Sequence, residues 1–507
     1  MSQDITESLG ELVDSYGDVE IRRVDGELFL RYIVKPPDLL DNEITVINNA
    51  KEIMDDYKDV LARLDTFRTY SEKEKFLQEY LRTKLEYRDI SFDHLNSIIS
   101  IIIDNLFFGY GRIGPLIRDG NLEEIMINGV GIPVFVFHRK YGNCKTNIVY
   151  ENYDQINELI SWISKHTGRR IDRDSPLLDG HMPDGSRVNI AIAPAVPRGP
   201  SITIRKFKKT ILNIIDLISM GTISLDIAAF LWVCIEGLGM APSNILIAGG
   251  TGSGKTTLFN ALAMFINPTE RIITVEDTLE LNLEFLENWI AMEAKPSVLG
   301  KSMISMHALL QNALRMRPDR VLVGEVRGEE AETLFVAMDI GLNGSMGTIH
   351  ANTAREAIIR ITNEPMSVPI RMLELIDLII VMNRHIHKEK GIIRRVTSIS
   401  EIVGIVKETP QIGEIYLWDK KTDKIGRTKY PVLLKDKIAE RCGLTRKHID
   451  AEIYVRKKIL EYMLMNDIRD NRDILRIFHQ YYINKESVMK KILSKKDIIM
   501  LNKHFRD

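Results

Sequence analysis

The chain has 507 residues, 45% of them hydrophobic and 27% charged, which excludes overall disorder and, at about 150 residues per domain, leaves room for roughly three folded units. Sixty-eight Lys and Arg against 70 Asp and Glu leave a formal net charge of -2, so there is no global field suited to a nucleic-acid coat, and any basic surface is local. Cys144, Cys234 and Cys442 lie far apart with no C-x-x-C pair, which excludes a disulfide framework or a cysteine zinc site built from sequence neighbours and points to a cytosolic setting.

The first residues, MSQDITESLGELVD, are acidic and carry no charged n-region followed by an apolar run, so no secretory signal is expected. Residues 19–34 read as two strands around Asp25-Gly26, a dipeptide that supplies the positive φ of a tight turn, and Pro36-Pro37 closes that unit. From 40 to 90 the pattern is helical with many charges, giving an α+β region over 1–90. Residues 91–207 form a second α+β domain, with an apolar helix through residue 103, the strand-like EIMING and VFVFHRKYGN, and the runs SRVNIAI and SITIRKF around a Pro/Gly loop. A linker follows at 208–224.

From 225 to 390, helical stretches alternate with the short apolar runs NILIAG, RIITVE, DRVLVGE, SMGTIH and DLIIVM. That alternation is the pattern of a parallel sheet with crossover helices, and it makes the chain an α/β protein. Residues 391–507 carry further strands and then a mainly helical, charged tail. The most apolar stretches, 98–103 and 373–382, are interrupted by Ser100 and Asp377 and are far shorter than the roughly 20 residues a bilayer span needs. Membrane association, where it occurs, is expected to be peripheral.

The strongest chemical signal is Gly249-Gly250-Thr251-Gly252-Ser253-Gly254-Lys255-Thr256, followed by Thr257, between the strand NILIA and a helix. The glycines let backbone N–H groups and the helix N-terminus face phosphates, Lys255 reaches the β and γ oxygens, and the Thr256 hydroxyl ligates Mg²⁺. RIITVEDTLEL delivers Glu276, Asp277 and Glu280 to the C-terminal end of a strand, where ligands bind in α/β sheets, with Glu280 placed to orient an attacking water. DRVLVGEVRG ends in Glu325, suited to hold Mg²⁺ directly or through water, with Arg327 just beyond. In SMGTIHANTAREAIIR, His350 ends a strand and Asn352 or Thr353 can cap the next helix. His385 and His387 beside Lys388 and Lys390 read as an exposed turn rather than a metal site, and the basic tail as solvated charge.

GGTGSGKTT, VEDTLEL, LRMRPDRVLVGEVRG and GTIHANTAREAIIR stand in the order and spacing of the secretion-superfamily ATPases, which the chain resembles. There they are the Walker A, Asp box, Walker B and His box. The resemblance reaches from about 105 to 360 and implies a RecA-like P-loop core, ATP and Mg²⁺ as cofactors, and arginines on the phosphates. Carried over residue by residue, those are Arg187 in DGSRVN, Arg205 in ITIRKF, Arg315 in ALRMRP and Arg327. It also implies a homo-oligomeric ring, a hexamer, at the cytoplasmic face of the membrane. Its partner there would be a polytopic platform protein of a type II or type IV secretion machine, type IV pilus or archaellum, with no specific nucleic acid. Without a four-cysteine insertion, with Gln311 one turn before Arg315, and with the N-terminal hairpin and the 414–425 stretch, the chain is most similar to the archaeal branch. The alternative is a nucleic-acid translocase of the conjugative type.

Overall fold

The computed structural model describes residues 10–493 apart from 55–56, 68–69, 87, 89, 207–211, 296–303 and 388–390. The chain divides into two compact units, Met1–Lys209 and Thr210–Asp507.

In the first unit, β1 (Glu11–Tyr16), β2 (Val19–Arg23) and β3 (Leu30–Val34) form an antiparallel meander, with Gly26 of the expected turn at φ 82°. Six later strands follow: β4 (Leu122–Ile127), β5 (Pro133–His138), β6 (Gly142–Val149), β7 (Leu177–His181), β8 (Arg187–Ala191) and β9 (Ser201–Arg205). All nine share one sheet in the order β1-β2-β3-β6-β5-β4-β9-β8-β7. The sequence places a domain boundary at 90, but β3 runs parallel to β6, with Leu30 opposite Cys144, so the sheet passes straight across that point. The core is shared in the same way: Ile21, Tyr32, Leu77 and Leu81 pack in one cluster with Ile98, Val136, Cys144, Ile163 and Ile204. On β8 and β9 burial alternates, so Val188, Ile190, Ile202 and Ile204 turn inward. Arg187 and Arg205 are direct cross-strand partners at the end of these strands.

The second unit is built on β10 (Ile245–Gly249), β11 (Ile272–Glu276), β12 (Trp289–Glu293), β13 (Arg320–Val326), β14 (Met346–Ile349), β15 (Leu378–His387), β16 (Gly391–Val406), β17 (Thr409–Asp419) and β18 (Lys424–Arg427). The order is β12-β11-β13-β14-β10-β15-β16-β17-β18, parallel from β12 to β15 and antiparallel from β15 to β18. Both faces of the parallel part are covered, which is why β10, β11 and β14 are buried at every position. Successive residues of β10 serve opposite cores: Ile245 and Ile247 one, Leu246 and Ala248 the other.

The expected linker is not one over most of its length. Asn213 caps the helix Ile214–Ser219 by accepting from the Asp216 N–H at 3.0 Å, and Ile214, Ile215 and Leu217 are buried in the second unit's core. Positions 208–211 lie outside the described residues. Nor does the core stop at 390. The helix Leu225–Glu236, apolar all round, packs against the C-terminal helix Arg446–Met465, and Trp232 stacks on Phe265 with centroids 5.0 Å apart and meets Phe478 at 4.4 Å. His385 and His387 sit on β15 rather than in a turn, and the His385 ring stacks on Trp418. Lys388, Lys390 and the end of the basic tail lie outside the described residues.

Candidate active site

Because β10, β11, β13 and β14 are parallel, their C-terminal ends deliver the loops that follow them to one edge of the sheet, the usual ligand edge of an α/β fold. The Gly-rich loop leaves β10 and enters the helix Lys255–Ala263. Gly252 and Gly254 take φ values of 68° and 96°, a left-handed backbone that side chains with a Cβ adopt only under strain. Lys255, almost wholly buried, folds back over the loop: its Nζ donates to the carbonyls of Gly249 and Gly250 at 2.9 and 3.3 Å.

The Thr256 hydroxyl donates to Glu280 Oε2 at 2.9 Å. Asn260, one turn further along the helix, donates to the carbonyls of Thr256 and Glu280 and accepts the Asn282 N–H, tying the loop after β11 to this helix. Glu276 lies beneath, fully buried, with Oε2 accepting the Glu280 and Leu281 N–H groups at 2.9 and 3.0 Å. Burial pushes its carboxyl up to about 7 against the pull of those two N–H bonds. Gly324 of β13 makes room for it, since a Cβ there would come within 2.7 Å of Glu276 Cγ.

Glu325 is held on two sides. Arg327 donates to both its oxygens, at 2.7 and 3.0 Å, and His350 Nε2 lies 2.9 Å from Oε1. Burial alone would raise the Glu325 carboxyl, but the Arg327 bonds and the charges of Arg327, His350 and Lys255 outweigh it and hold the group below its ordinary value. His350 is lowered, by burial first, with Lys255, Arg327 and Arg360 adding to it against Glu325's opposite pull. A neutral His350 therefore donates from Nε2 to an ionised Glu325. Arg327 also reaches Asp277 at 3.6 Å. Thr353 rather than Asn352 caps the helix Ala354–Thr362, accepting from the Glu356 N–H at 3.0 Å, while Asn352 lies beside Gly250.

The structure thus brings together Lys255, Thr256, Glu280, Glu325, Arg327 and His350, all within the second unit. Arg315 stands exposed in the short turn after the helix Met306–Ala313. Arg187 and Arg205 belong to the first unit. Two arginines the motifs do not reveal, Arg384 of β15 and Arg394 of β16, also reach the Gly-rich loop. Only strand register brings them there, and it leaves no local signal.

A Gly-rich loop between a central parallel strand and its helix, with carboxylates at the ends of neighbouring strands, defines a P-loop nucleotide-binding core of the RecA-like kind. The chain belongs to the type II/IV secretion system protein family, which matches residues 112–401. It is 32% identical over 452 residues to the uncharacterized protein MJ0900 of Methanocaldococcus jannaschii, covering 86% of this chain and 80% of that one. It is 40% identical over 335 residues to MJ0781 of the same organism, covering 65% of this chain but 44% of that protein's length. The VirB11 ATPase of the Brucella suis type IV secretion system, solved in complex with sulphate, is 25% identical, with a TM-score of 0.30 over 57% of this chain and 91% of that one. Among the described residues, no helix is long and apolar enough to cross a membrane.

Proposed function

We propose that this protein hydrolyses ATP with Mg²⁺ and, as a hexameric ring at the cytoplasmic face of a membrane, drives assembly of a type IV pilus-like filament, an archaellum or a type II or type IV secretion machine through a polytopic platform protein. The observation that carries the reading is the convergence of Lys255, Thr256, Glu280, Glu325 and His350 on one sheet edge around an intact P-loop.

Gly249 to Thr257 hold the phosphates, with Lys255 exchanging loop carbonyls for phosphate oxygens. The hard oxygens of Thr256 and Glu280, already 2.9 Å apart, suit Mg²⁺, which when bound would neutralise charge on the β and γ phosphates. Glu325, ionised and oriented by His350 and Arg327, is then the acceptor that holds the attacking water and takes its proton. These contacts favour exchanging the two roles that the sequence suggests for Glu280 and Glu325. Arg187 and Arg205, cross-strand partners, and Arg315 and Arg327 supply the guanidinium charge that a transferring phosphoryl group needs.

The test is steady-state ATP hydrolysis by the purified chain alone, with single-stranded DNA, and with acidic phospholipid vesicles, against Lys255→Ala. Lys255-dependent turnover raised by vesicles and not by DNA is the expected result. Stimulation by DNA alone would instead make the protein a nucleic-acid translocase.

A further inference from the structure

The hairpin β15–β16 touches the Gly-rich loop with two arginines. Arg394 Nε donates to the Gly252 carbonyl at 2.9 Å. Its Cδ would lie 3.3 Å from a Cβ placed on Gly254, and an Arg384 guanidinium nitrogen 3.4 Å from one placed on Gly252. Arg384 and Arg394 are direct partners in the antiparallel register, so their side chains leave the same face of the hairpin. Like charges directly opposite each other on a strand pair are unfavourable, and an anion seated beside them relieves that cost.

The loop itself shows what Arg394 does. A trans peptide is planar, with its carbonyl and the following N–H pointing opposite ways. Fixing the Gly252 carbonyl on Arg394 therefore turns the Ser253 N–H to the other side, where it now meets the Gly250 carbonyl at 3.3 Å. Lys255 holds the carbonyls of Gly249 and Gly250. A carbonyl bonded to a cation polarises its peptide and strengthens the N–H beyond it as a donor.

We propose that Arg394 is a positioning residue for the phosphate-binding loop and that Arg384, across the hairpin, binds the nucleotide's phosphate chain directly, so that β15–β16 completes the nucleotide site from within the same chain. This rests on the reading of the Gly-rich loop as a nucleoside polyphosphate site.

Calorimetric titration of the full chain with Mg-ADP tests it, with melting of the nucleotide-free protein as the check on folding. Arg384→Gln and Arg394→Gln should each weaken Mg-ADP by about tenfold or more and leave the nucleotide-free melting temperature near that of the parent. Arg384→Lys should recover most of the affinity, because a point charge serves a phosphate. Arg394→Lys should not, because it lacks the directed Nε–H. In ATP hydrolysis Arg394→Gln should raise KM far more than it lowers kcat. Binding of Mg-ADP by both Gln variants within about twofold of the parent, or full recovery by Arg394→Lys, would overturn the proposal. If Arg394→Gln melts early, Arg394→Lys and Arg384→Gln carry the test. Lys255→Ala separates the two levels: if it binds Mg-ADP like the parent, the nucleotide reading itself fails, whereas lost binding there with intact Gln variants removes only the arginine pair.

Discussion

Glu280 and Glu325 differ in their company, and that difference is measurable. Glu280→Gln weakens the oxygen pair with Thr256 and is expected to raise the Mg²⁺ concentration needed for half-maximal turnover. Glu325→Gln keeps nucleotide and Mg²⁺ binding but loses the proton acceptor, so kcat should fall by about 10²-fold or more. Glu276 carries a second signature. Its folded carboxyl is raised from 4.5 to about 7, so the stability held by the neutral form is complete below the unfolded value and is lost as pH rises through about 7. Glu276→Gln, whose carbonyl can still accept the Glu280 and Leu281 N–H groups, should melt higher than the parent above about pH 7 and show no advantage below about pH 4. At this scale Lys255, Thr256 and Glu325 stand in contiguous motifs that the sequence displays directly, although the role proposed for Glu325 differs from the one the sequence suggests. The buried seat of Glu276 against Gly324 was not legible, because it joins two strands far apart in the chain.

Among the elements, strands with both faces covered announce themselves as apolar runs, and β10, β11, β13, β14 and β15 were all legible. Two of the strands missed are ones the core does not shape. β1 is mostly exposed along its length and β12 is a short, half-exposed edge strand, so neither carries a buried alternation. The C-terminal helices were legible as helices but not as core. What ties them in is Arg456, fully buried, bonded to Glu452 at 2.7 Å and paired with Glu236, with its guanidinium over Trp232 and Tyr481. Arg456→Met would leave the buried Glu236 without its cation, while Glu452 keeps Lys485 and the Tyr481 hydroxyl, and is expected to cost about 3–5 kcal/mol in denaturant unfolding of the second unit.

Over the whole molecule, each compact unit has its own sheet and its own core, so residues 210–507 produced alone should fold and bind Mg-ADP. That fragment lacks Arg187 and Arg205 and should turn ATP over far more slowly than the full chain. Arg205→Ala in the full chain should likewise lower turnover while sparing binding, and equal loss of both would make the residue part of the binding site instead. The linker placed at 208–224 spans the division at 210, but its membership of the second unit was not legible, since the capped helix at 214–219 looks like connecting chain until its isoleucines are seen to be buried. The apparent break at 90 hid a sheet that spans it.

That spanning sheet sets a schedule for synthesis. Val34 of β3 is bonded in both directions to the side chain of Asn147, 113 positions later, beside the parallel pairing with β6. At translation rates of about 5–20 residues per second, the N-terminal meander leaves the ribosome on the order of ten seconds before its neighbour exists, with the open side of β3 offering unpaired backbone throughout. The newborn chain is therefore a natural client for chaperones that shield strand edges, and its soluble yield should follow their supply more closely than the stability of the finished protein does.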